Sequence, residues 1–366
     1  MDDIYERLAF HLSTLGMGFP YRDDLLTILK ENLTPAEAKV LLLLPTKVAP
    51  LQLVGVDEIT SSANLSREKL VDMLESLSER GLLFSGKTKE GNNGYALQQV
   101  GFGFPQTFFW KGEDTPHARN MANLIAKYFN RQVTAEAYGR PETKPFRYIP
   151  VNNTIDHDIQ AVFPYHLMEK VIQQASVFAV AHCPCRMMMR LRGRGCNHPT
   201  EVCLKFDDMA EYLIERELAR EITRDEALGV ISKSEESGLV HFVDNAIKDI
   251  KHNCNCCGCA CWNVGSIKRR KIPRDVLMAT YFIRETDTDK CAGCGNCTEI
   301  CPVDAIVIEG EHATVDENWC IGCGLCVRQC SNGAAKLRLR TDRTDQSPLP
   351  DFVKLHEKIL KEKGLA

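Results

Sequence analysis

The 366-residue sequence has no apolar run of the roughly 18–20 residues that a membrane-spanning helix needs. The nearest candidate, 40–54, is interrupted by Pro45, Lys47 and Pro50. The formal net charge is only −4, so no overall field favours nucleic acid or an anionic membrane. The first residues, Met1-Asp2-Asp3, lack the basic-then-apolar order of a secretory signal. We therefore expect a cytoplasmic protein without a membrane span.

Familiar catalytic patterns are also missing. No G-x-G-x-x-G loop follows a predicted strand, so nothing in the sequence indicates a bound flavin or nicotinamide cofactor. Neither a nucleophile–base pair nor a pair of catalytic carboxylates can be recognised. The sequence therefore names no catalytic residue and leaves open whether the protein is an enzyme, for instance a component of an oxidoreductase.

Cysteine, in contrast, is abundant, with seventeen residues in the chain. In a reducing cytosol, clustered cysteines are metal ligands more often than disulfides. The odd count and the adjacent pair Cys256-Cys257 also fit a disulfide framework poorly. The sequence therefore predicts several metal or cluster sites.

Eight of these cysteines form two copies of one motif near the C-terminus. Each copy has the spacing C-x2-C-x2-C-x3-C, which lets a tight loop place three thiolates around one iron–sulfur cluster. The first copy contains Cys291, Cys294, Cys297 and Cys301, and the second contains Cys320, Cys323, Cys326 and Cys330. A pair of zinc sites is the alternative, but zinc ribbons separate their two C-x2-C pairs by a longer connection.

Residues 285–340 resemble bacterial-type ferredoxins that bind two 4Fe-4S clusters. The resemblance implies that the fourth cysteine of each run ligates the other cluster. One cluster would then be held by Cys291, Cys294, Cys297 and Cys330, and the other by Cys320, Cys323, Cys326 and Cys301. Pro302 follows the family pattern, whereas Ser331 stands where a second proline is usual. Because such clusters tolerate oxygen poorly, we expect an anaerobic or microaerobic host.

The other nine cysteines lie between residues 145 and 263 in two groups. The first comprises Cys183, Cys185, Cys196 and Cys203, and the second comprises Cys254, Cys256, Cys257, Cys259 and Cys261. The first four alone could complete one tetrahedral site, but the second group is too dense for one metal. We expect the groups to meet and hold at least one further iron–sulfur cluster, with structural zinc and redox-active thiols as alternatives. The tripeptide Cys256-Cys257-Gly258 is similar to the CCG modules of heterodisulfide reductases, although the wider spacing differs.

Charged and imidazole side chains accompany these cysteines. Arg186, Arg190, Arg192 and Arg194 follow the first group, and 268–271 form a basic run after the second. Arginines there would raise the potential of an anionic cluster or receive an acidic partner, and a solvated surface is the third interpretation. For His182, His198, His241 and His252 we expect ordinary hydrogen bonding in preference to metal ligation.

The N-terminal region reads as three helices followed by a hairpin. A helix is predicted from the cap Thr34-Pro35 to Leu44, a second over 56–65, a third over 66–81, and strands over 82–87 and 95–100. This order is similar to a winged helix. Between Asp57 and Tyr95 there are seven acidic and five basic residues. This balance does not favour DNA binding, because DNA-binding proteins draw much of their affinity from cationic contacts to phosphate. We therefore expect this module to dock a protein partner or form a homodimer, with DNA binding as the less favoured alternative.

These patterns together predict an α+β chain with four parts. They are a winged-helix-like domain at 1–140, a cysteine-rich α/β domain at 141–280, a dicluster ferredoxin domain at 281–340, and a linker with a C-terminal helix at 341–366. The arrangement is similar to multi-domain iron–sulfur proteins of anaerobic bacteria and archaea. We expect the protein to pass single low-potential electrons between a redox partner and a further cysteine-bound centre. The alternatives are a redox-sensing transcriptional regulator and a reductase whose active site lies among the middle cysteines.

Overall fold

The N-terminal third of the computed structural model combines helices with a small sheet. The structure describes residues 3–61, 65–139, 141–341 and 347–366. The first elements are α1 (Ile4–Ser13), α2 (Asp23–Asn32), α3 (Pro35–Leu41), β1 (Val54–Gly55), α4 (Val56–Ser61), α5 (Arg67–Glu79), β2 (Leu83–Lys87) and β3 (Asn93–Leu97). The three strands form an antiparallel sheet in the order β1-β3-β2. The element order follows the sequence-based expectation, while the assignment to the winged-helix fold stays a prediction.

The start of helix α3 could be predicted from local sequence, but its end could not. Its predicted start is confirmed, because Thr34 and Glu37 form a reciprocal capping box. The predicted end at Leu44 is wrong, since the helix stops at Leu41 and the next residues make tight turns. Pro45 disfavours helical geometry in the residue before it, which explains the early end. The last residues of the predicted second helix, 62–64, lie outside the described residues.

A connecting region leads to the middle of the chain. It contains a 3₁₀ turn (Gln106–Phe109) and the helices α6 (Pro116–Tyr128) and α7 (Arg131–Gly139). Sequence reasoning assigned no helices here. The aromatic residues clustered between 102 and 110 predict packing between domains in preference to a ligand site. The packing is confirmed for Phe102, whose ring contacts those of Phe146, His252 and Phe352.

The middle of the chain is built on a six-stranded sheet. Its strands are β4 (Phe146–Ile149), β5 (Phe178–His182), β6 (Glu201–Phe206), β7 (Arg220–Glu221), β8 (Val240–Asp244) and β9 (His252–Cys256). They pair in the order β4-β8-β9-β6-β5-β7, and every pair is antiparallel. The accompanying helices are α8 (His157–Val162), a 3₁₀ turn (Pro164–His166), α9 (Met168–Gln174), α10 (Pro184–Leu191), α11 (Asp207–Glu215), α12 (Arg224–Glu236), α13 (Val264–Arg270) and α14 (Arg274–Leu277).

Two sequence-based expectations for this region have clear outcomes. The apolar run 177–181 predicts a buried strand before Cys183, which is confirmed as β5, and Cys183 caps the helix α10 that follows. The apolar spacing after residue 207 predicts a helix over Asp208–Arg220, which is too long, because α11 ends at Glu215 and Glu217 has a positive φ of 53°. A left-handed residue cannot continue a right-handed helix.

The C-terminal part consists of two small hairpin-like sheets, two short helices and a final helix. Strand β10 (Phe282–Thr286) pairs with β13 (Ala335–Leu339), and β11 (Ile306–Glu309) pairs with β12 (His312–Val315). The helices are α15 (Asn296–Ile300), α16 (Leu325–Arg328) and α17 (Phe352–Glu362). The apolar spacing of the C-terminal helix predicts that Phe352, Leu355, Ile359 and Leu360 form its inner face. This is confirmed, since all four are buried in α17. Most of the predicted linker, 342–346, lies outside the described residues.

One hydrophobic core runs through the regions that the sequence treated as separate. Its buried members extend from Leu8 in α1 through Tyr212 and Val264 to Phe352 in α17. Tyr212 of the middle region also donates a hydrogen bond to the Leu83 carbonyl at 2.8 Å. Within the residues that the structure describes, none of the helices is long and apolar enough to cross a bilayer.

Candidate metal centres

The two cysteine motifs near the C-terminus line two neighbouring cavities. The first, here called the outer cavity, has a volume of about 30 Å³ and is lined by Cys291, Cys294, Cys297 and Cys330. The second, the inner cavity, has a volume of about 20 Å³ and is lined by Cys301, Cys320, Cys323 and Cys326. Each cavity thus takes three cysteines from one motif and the fourth from the other. This is the grouping that the ferredoxin resemblance implies.

The outer cavity lies near the protein surface. Cys294 is exposed, while Cys291, Cys297 and Cys330 are half-buried. The backbone N–H of Ala313 donates to Cys291 Sγ, and that of Ala335 donates to Cys330 Sγ, each at 3.4 Å. The hydrogen bond from Ala313 is the main cause that lowers the pKa of Cys291. Such donors stabilise sulfur in its anionic, metal-binding form.

The inner cavity is enclosed by the body of the protein. Cys320, Cys323 and Cys326 are buried, and the Cys323 carbonyl accepts a hydrogen bond of 3.0 Å from the N–H of Val151. Burial raises the pKa of Cys323 well above its ordinary value and that of Cys326 to about 12. Buried thiols of this kind become ligands only when a metal compensates their charge. The donor set therefore suits an iron–sulfur cluster better than four free thiols.

Equivalent glycines in the two motifs permit these tight loops. Gly295 and Gly324 have positive φ angles of 83° and 79°, which residues with a Cβ rarely adopt. A Cβ at Gly324 would overlap the side chain of Thr154, whereas at Gly295 it would meet only the Thr298 hydroxyl at 4.0 Å. The two loops share a backbone shape, but only the inner one is pressed against the middle of the chain.

One buried cation serves both cavities. Arg284 on β10 is 2 % exposed and lines the outer and the inner cavity together. Its Nη2 atom lies 4.0 Å from Cys297 Sγ, and its Nε has no hydrogen-bond partner among the residues that the structure describes. A buried guanidinium in this place offsets the negative charge that thiolate-ligated clusters carry. Sequence reasoning missed this residue, because it lies outside both motifs.

Six of the nine middle cysteines line one further cavity of about 50 Å³. They are Cys183, Cys185, Cys203, Cys254, Cys256 and Cys261. We call it the six-thiol cavity. Strands β6 and β9 carry Cys203, Cys254 and Cys256, and the start of α10 carries Cys183 and Cys185. Paired strands thus bring together cysteines about fifty residues apart in sequence.

The sulfur atoms of this cavity are close neighbours. Hydrogen bonding with Cys203 and Cys256 lowers the pKa of Cys254 well below its ordinary value. Burial acts to raise the pKa of Cys261, but hydrogen bonds with Cys185 and Cys256 lower it overall. The backbone N–H groups of Trp262 and Asn263 also donate to Cys185 Sγ at 3.4 Å and to Cys261 Sγ at 3.3 Å. These hydrogen bonds favour the thiolate, the metal-binding form, at Cys254 and Cys261, whereas the pKa values of their partners Cys185, Cys203 and Cys256 are raised.

Two side chains that sequence reasoning did not place at a site also line the six-thiol cavity. Lys205 is 3 % exposed, and its Nζ lies 5.2 Å from the centre of the Trp110 ring. Trp110 is buried, and within the described parts of the chain its Nε1 has no hydrogen-bond partner. Together they supply one positive charge and one free N–H donor. Because β-strand alternation points Lys205 inward, its position became visible only once the sheet was known.

The remaining three middle cysteines gather around an imidazole. Cys196, Cys257 and Cys259 lie with His198, and their four ligand atoms are all within 4.8 Å of one another. The expected tetrahedral set of Cys183, Cys185, Cys196 and Cys203 is therefore divided between two places. His198 lies among thiols, although hydrogen bonding alone was expected for it. The sequence distance between the two ends of the group, 196 and 259, concealed this arrangement.

Tyr148 on β4 is a buried tyrosine without a hydrogen bond from its side chain. It is 2 % exposed, and its hydroxyl has no partner among the described residues. Burial raises the pKa of Tyr148 well above its ordinary value, and the charges of Cys261, Cys256 and Cys323 add to that effect.

Comparison with known proteins identifies one of these regions. Residues 290–335 match the family model of the 4Fe-4S dicluster domain. Neither the curated proteins nor the solved structures contain a match to the chain. The predicted 4Fe-4S dicluster region at the C-terminal end is thereby confirmed, within an α+β protein whose middle is rich in cysteine.

Proposed function

We propose that the protein transfers single electrons between a redox partner and a further centre bound in the six-thiol cavity. The outer and inner cavities would each hold one 4Fe-4S cluster on the four cysteines that line them. Clusters of this type accept and release one electron at a time without proton or group transfer. The observation that carries the proposal is the order of the sites. The outer cavity reaches the surface, Arg284 lines it together with the inner cavity, and Gly258 of the cysteine-rich loop packs on the Pro302 carbonyl beside Cys301 of the inner cavity.

The burial of each site indicates where a redox partner can exchange electrons with the protein. Exposed Cys294 offers a partner access to the outer cavity, whereas buried Cys323 shields the inner cavity from solvent. The six-thiol cavity has mostly buried cysteines and contains Lys205, a cation that would favour an added electron. We therefore propose that electrons exchange with the partner at the outer cavity.

A reductive titration of anaerobically purified protein tests this proposal. Two clusters alone take up about two electrons per chain, so we expect uptake beyond about two. The double variant Cys203→Ala/Cys256→Ala should return the uptake to about two electrons while the dicluster EPR signals remain. The matched control His157→Ala, at an exposed histidine, should behave as the wild type. Wild-type uptake limited to about two electrons, with about eight irons, would refute a redox centre in the six-thiol cavity.

A reductase with its active site in the six-thiol cavity is the second candidate. It is favoured by the number of thiols, because six line this cavity whereas four line each cavity of the dicluster domain. A cubane uses four thiolates, so two thiols remain that could contact a small molecule. Adding cyanide or 2-mercaptoethanol should then alter the EPR spectrum of this centre alone. An unchanged spectrum would leave electron transfer as the function.

The N-terminal region supports a protein partner better than DNA. Two of the three basic residues on the exposed face of α5 are already paired, Arg67 with Asp57 and Arg80 with Glu37. Cationic contacts to phosphate supply much of the affinity of DNA-binding proteins. We therefore propose that this surface docks a protein or a second copy of the chain. Sequence-selective, salt-sensitive retardation of DNA in an anaerobic gel would instead support a redox-responsive regulator.

A further inference from the structure

His198 and the three cysteines around it form a compact site that is separate from the outer, inner and six-thiol cavities. Cys196 Sγ lies 3.9 Å from Cys257 Sγ, and Cys259 Sγ lies 3.8 Å from His198 Nδ1. Cys196 and His198 belong to the loop between α10 and β6, and the other two belong to the loop after β9. The site therefore joins two segments about sixty residues apart in the chain.

These distances identify the kind of metal that fits. A tetrahedral zinc ion bound at about 2.3 Å places two thiolate sulfurs about 3.8 Å apart. The thiolates of an iron–sulfur cubane bind separate irons and are held farther from one another. Three thiolates and one imidazole are a common set in structural zinc sites. We infer that Cys196, His198, Cys257 and Cys259 bind one zinc ion.

The surrounding arginines support a fixed, closed site. Arg190 donates to the carbonyls of His198 at 2.8 Å and Cys196 at 3.3 Å, which holds the first loop. Arg269 donates to the Gly258 carbonyl at 2.7 Å and holds the second loop. Such contacts orient metal ligands before the metal binds. With four protein ligands, the ion has no open position for a substrate, so its role is structural.

A buried arginine balances the charge of the site. Arg186 is 1 % exposed, and its Nε and Nη2 have no hydrogen-bond partner in the part of the chain that the structure describes. Its Nη1 donates to the Asn255 carbonyl at 3.0 Å, between Cys254 and Cys256 of the six-thiol cavity and two residues before Cys257. Three thiolates leave zinc with a net charge of −1, which a guanidinium in this position offsets.

The position of the zinc site indicates what it stabilises. Cys257 follows Cys256 directly, and Cys259 precedes Cys261 by two residues, so the loop positions two cysteines of the six-thiol cavity. Gly258 lies against the carbonyl of Pro302, next to Cys301 of the inner cavity, and a Cβ there would overlap it. The zinc loop is therefore one of the segments that pack the middle of the chain against the dicluster domain.

Elemental analysis of the full-length, anaerobically purified protein tests this inference. We expect about one zinc per chain in addition to iron, and cobalt supplied in its place should show the visible bands of a tetrahedral thiolate site. His198→Ala should lower the zinc content at least fivefold and leave the dicluster EPR signals in place. His198→Cys, which restores a fourth ligand, should retain zinc. His157→Ala is the matched control and should keep wild-type zinc and iron.

The outcomes separate this inference from the proposed function. Wild-type protein without zinc, or His198→Ala with unchanged zinc, overturns the zinc site even where electron uptake is normal. If His198→Ala fails to fold, His198→Cys and the cobalt spectrum of the wild type still decide the matter. Loss of electron uptake with zinc intact would instead refute only the redox role of the six-thiol cavity.

Discussion

The outer and inner cavities are built from the same motif but differ in their surroundings. Both use four cysteines with the same spacing and glycines with the same left-handed backbone. The outer cavity borders solvent at Cys294, whereas the inner one packs on Val151 and Thr154 of the middle region. A repeated motif can thus specify two equal ligand sets while the tertiary environment gives them different roles. We expect the outer site to exchange electrons and the inner site also to hold the molecule together.

The largest effect should come from removing equivalent ligands. Cys323→Ala deletes a buried ligand of the inner cavity, and Cys294→Ala deletes an exposed ligand of the outer one. Both variants should lose iron, but the inner one should lower Tm by more than about 10 °C and the outer one by less than about 5 °C. Anaerobic calorimetry and iron analysis measure this. Equal losses of Tm would show that burial does not distinguish the two sites.

A second comparison uses equivalent glycines. Gly295→Ala should destabilise by about 1 kcal/mol because of its positive φ alone. Gly324→Ala should cost about 3 kcal/mol, because the added methyl also overlaps Thr154. Denaturant unfolding under anaerobic conditions gives both values.

The glycine comparison has an internal control. Adding Thr154→Ala to Gly324→Ala removes the hydroxyl that the new Cβ would strike, so part of the lost stability should return. Adding it to Gly295→Ala should bring no recovery. Equal costs for the two glycine variants would contradict the close packing of the inner loop.

The buried carboxylate of Glu235, on α12, links the inner half of the dicluster domain to the middle of the chain. Glu235 accepts hydrogen bonds from Arg328 at 2.6 Å and from the N–H of Asn152 at 2.8 Å. Glu235→Gln should therefore cost about 2 kcal/mol, while Glu236→Gln, at the exposed neighbour, should change stability by less than about 0.5 kcal/mol. Equal effects would show that this contact does not hold the domain.

The same carboxylate predicts a dependence on pH. Burial acts to raise the pKa of Glu235, but His241 and the N–H of Asn152 lower it overall from its ordinary value of 4.5. A depressed pKa means that the ionised group stabilises the fold above pH 4.5, and this contribution is lost as the pH falls through the folded-state value. The difference in stability between wild type and Glu235→Gln should therefore shrink below that pH.

The smallest expected effect concerns the cation that both cavities share. Arg284→Met removes a buried positive charge, so reduction of either cluster should become harder and both potentials should fall by about 60 mV. Lys336→Met, at an exposed position of β13, should change them far less because solvent screens its charge. EPR-monitored redox titration distinguishes the two. A shift in only one potential would show that Arg284 serves a single cavity.

Prediction from sequence succeeded where a local pattern sets the structure. The helix cap at Thr34, strand β5 before Cys183 and the buried face of α17 all follow from short-range spacing. It failed where helix ends depend on backbone conformation, as at Glu217, and where no periodicity was evident, as in α6 and α7. The sequence predicted that Phe102 packs between regions, but it did not predict its partners on β4, β9 and α17.

The sequence alone determined that the C-terminal end carries a 4Fe-4S dicluster domain, because its ligands lie within short loops of regular spacing. Only the tertiary structure decided how the nine middle cysteines divide, six around one cavity and three with His198. It also decided that Arg284 and Lys205 lie between or beside these sites. The physical reason is distance along the chain. Ligands within one loop are placed by local backbone geometry, whereas ligands sixty residues apart meet only when paired strands bring them together.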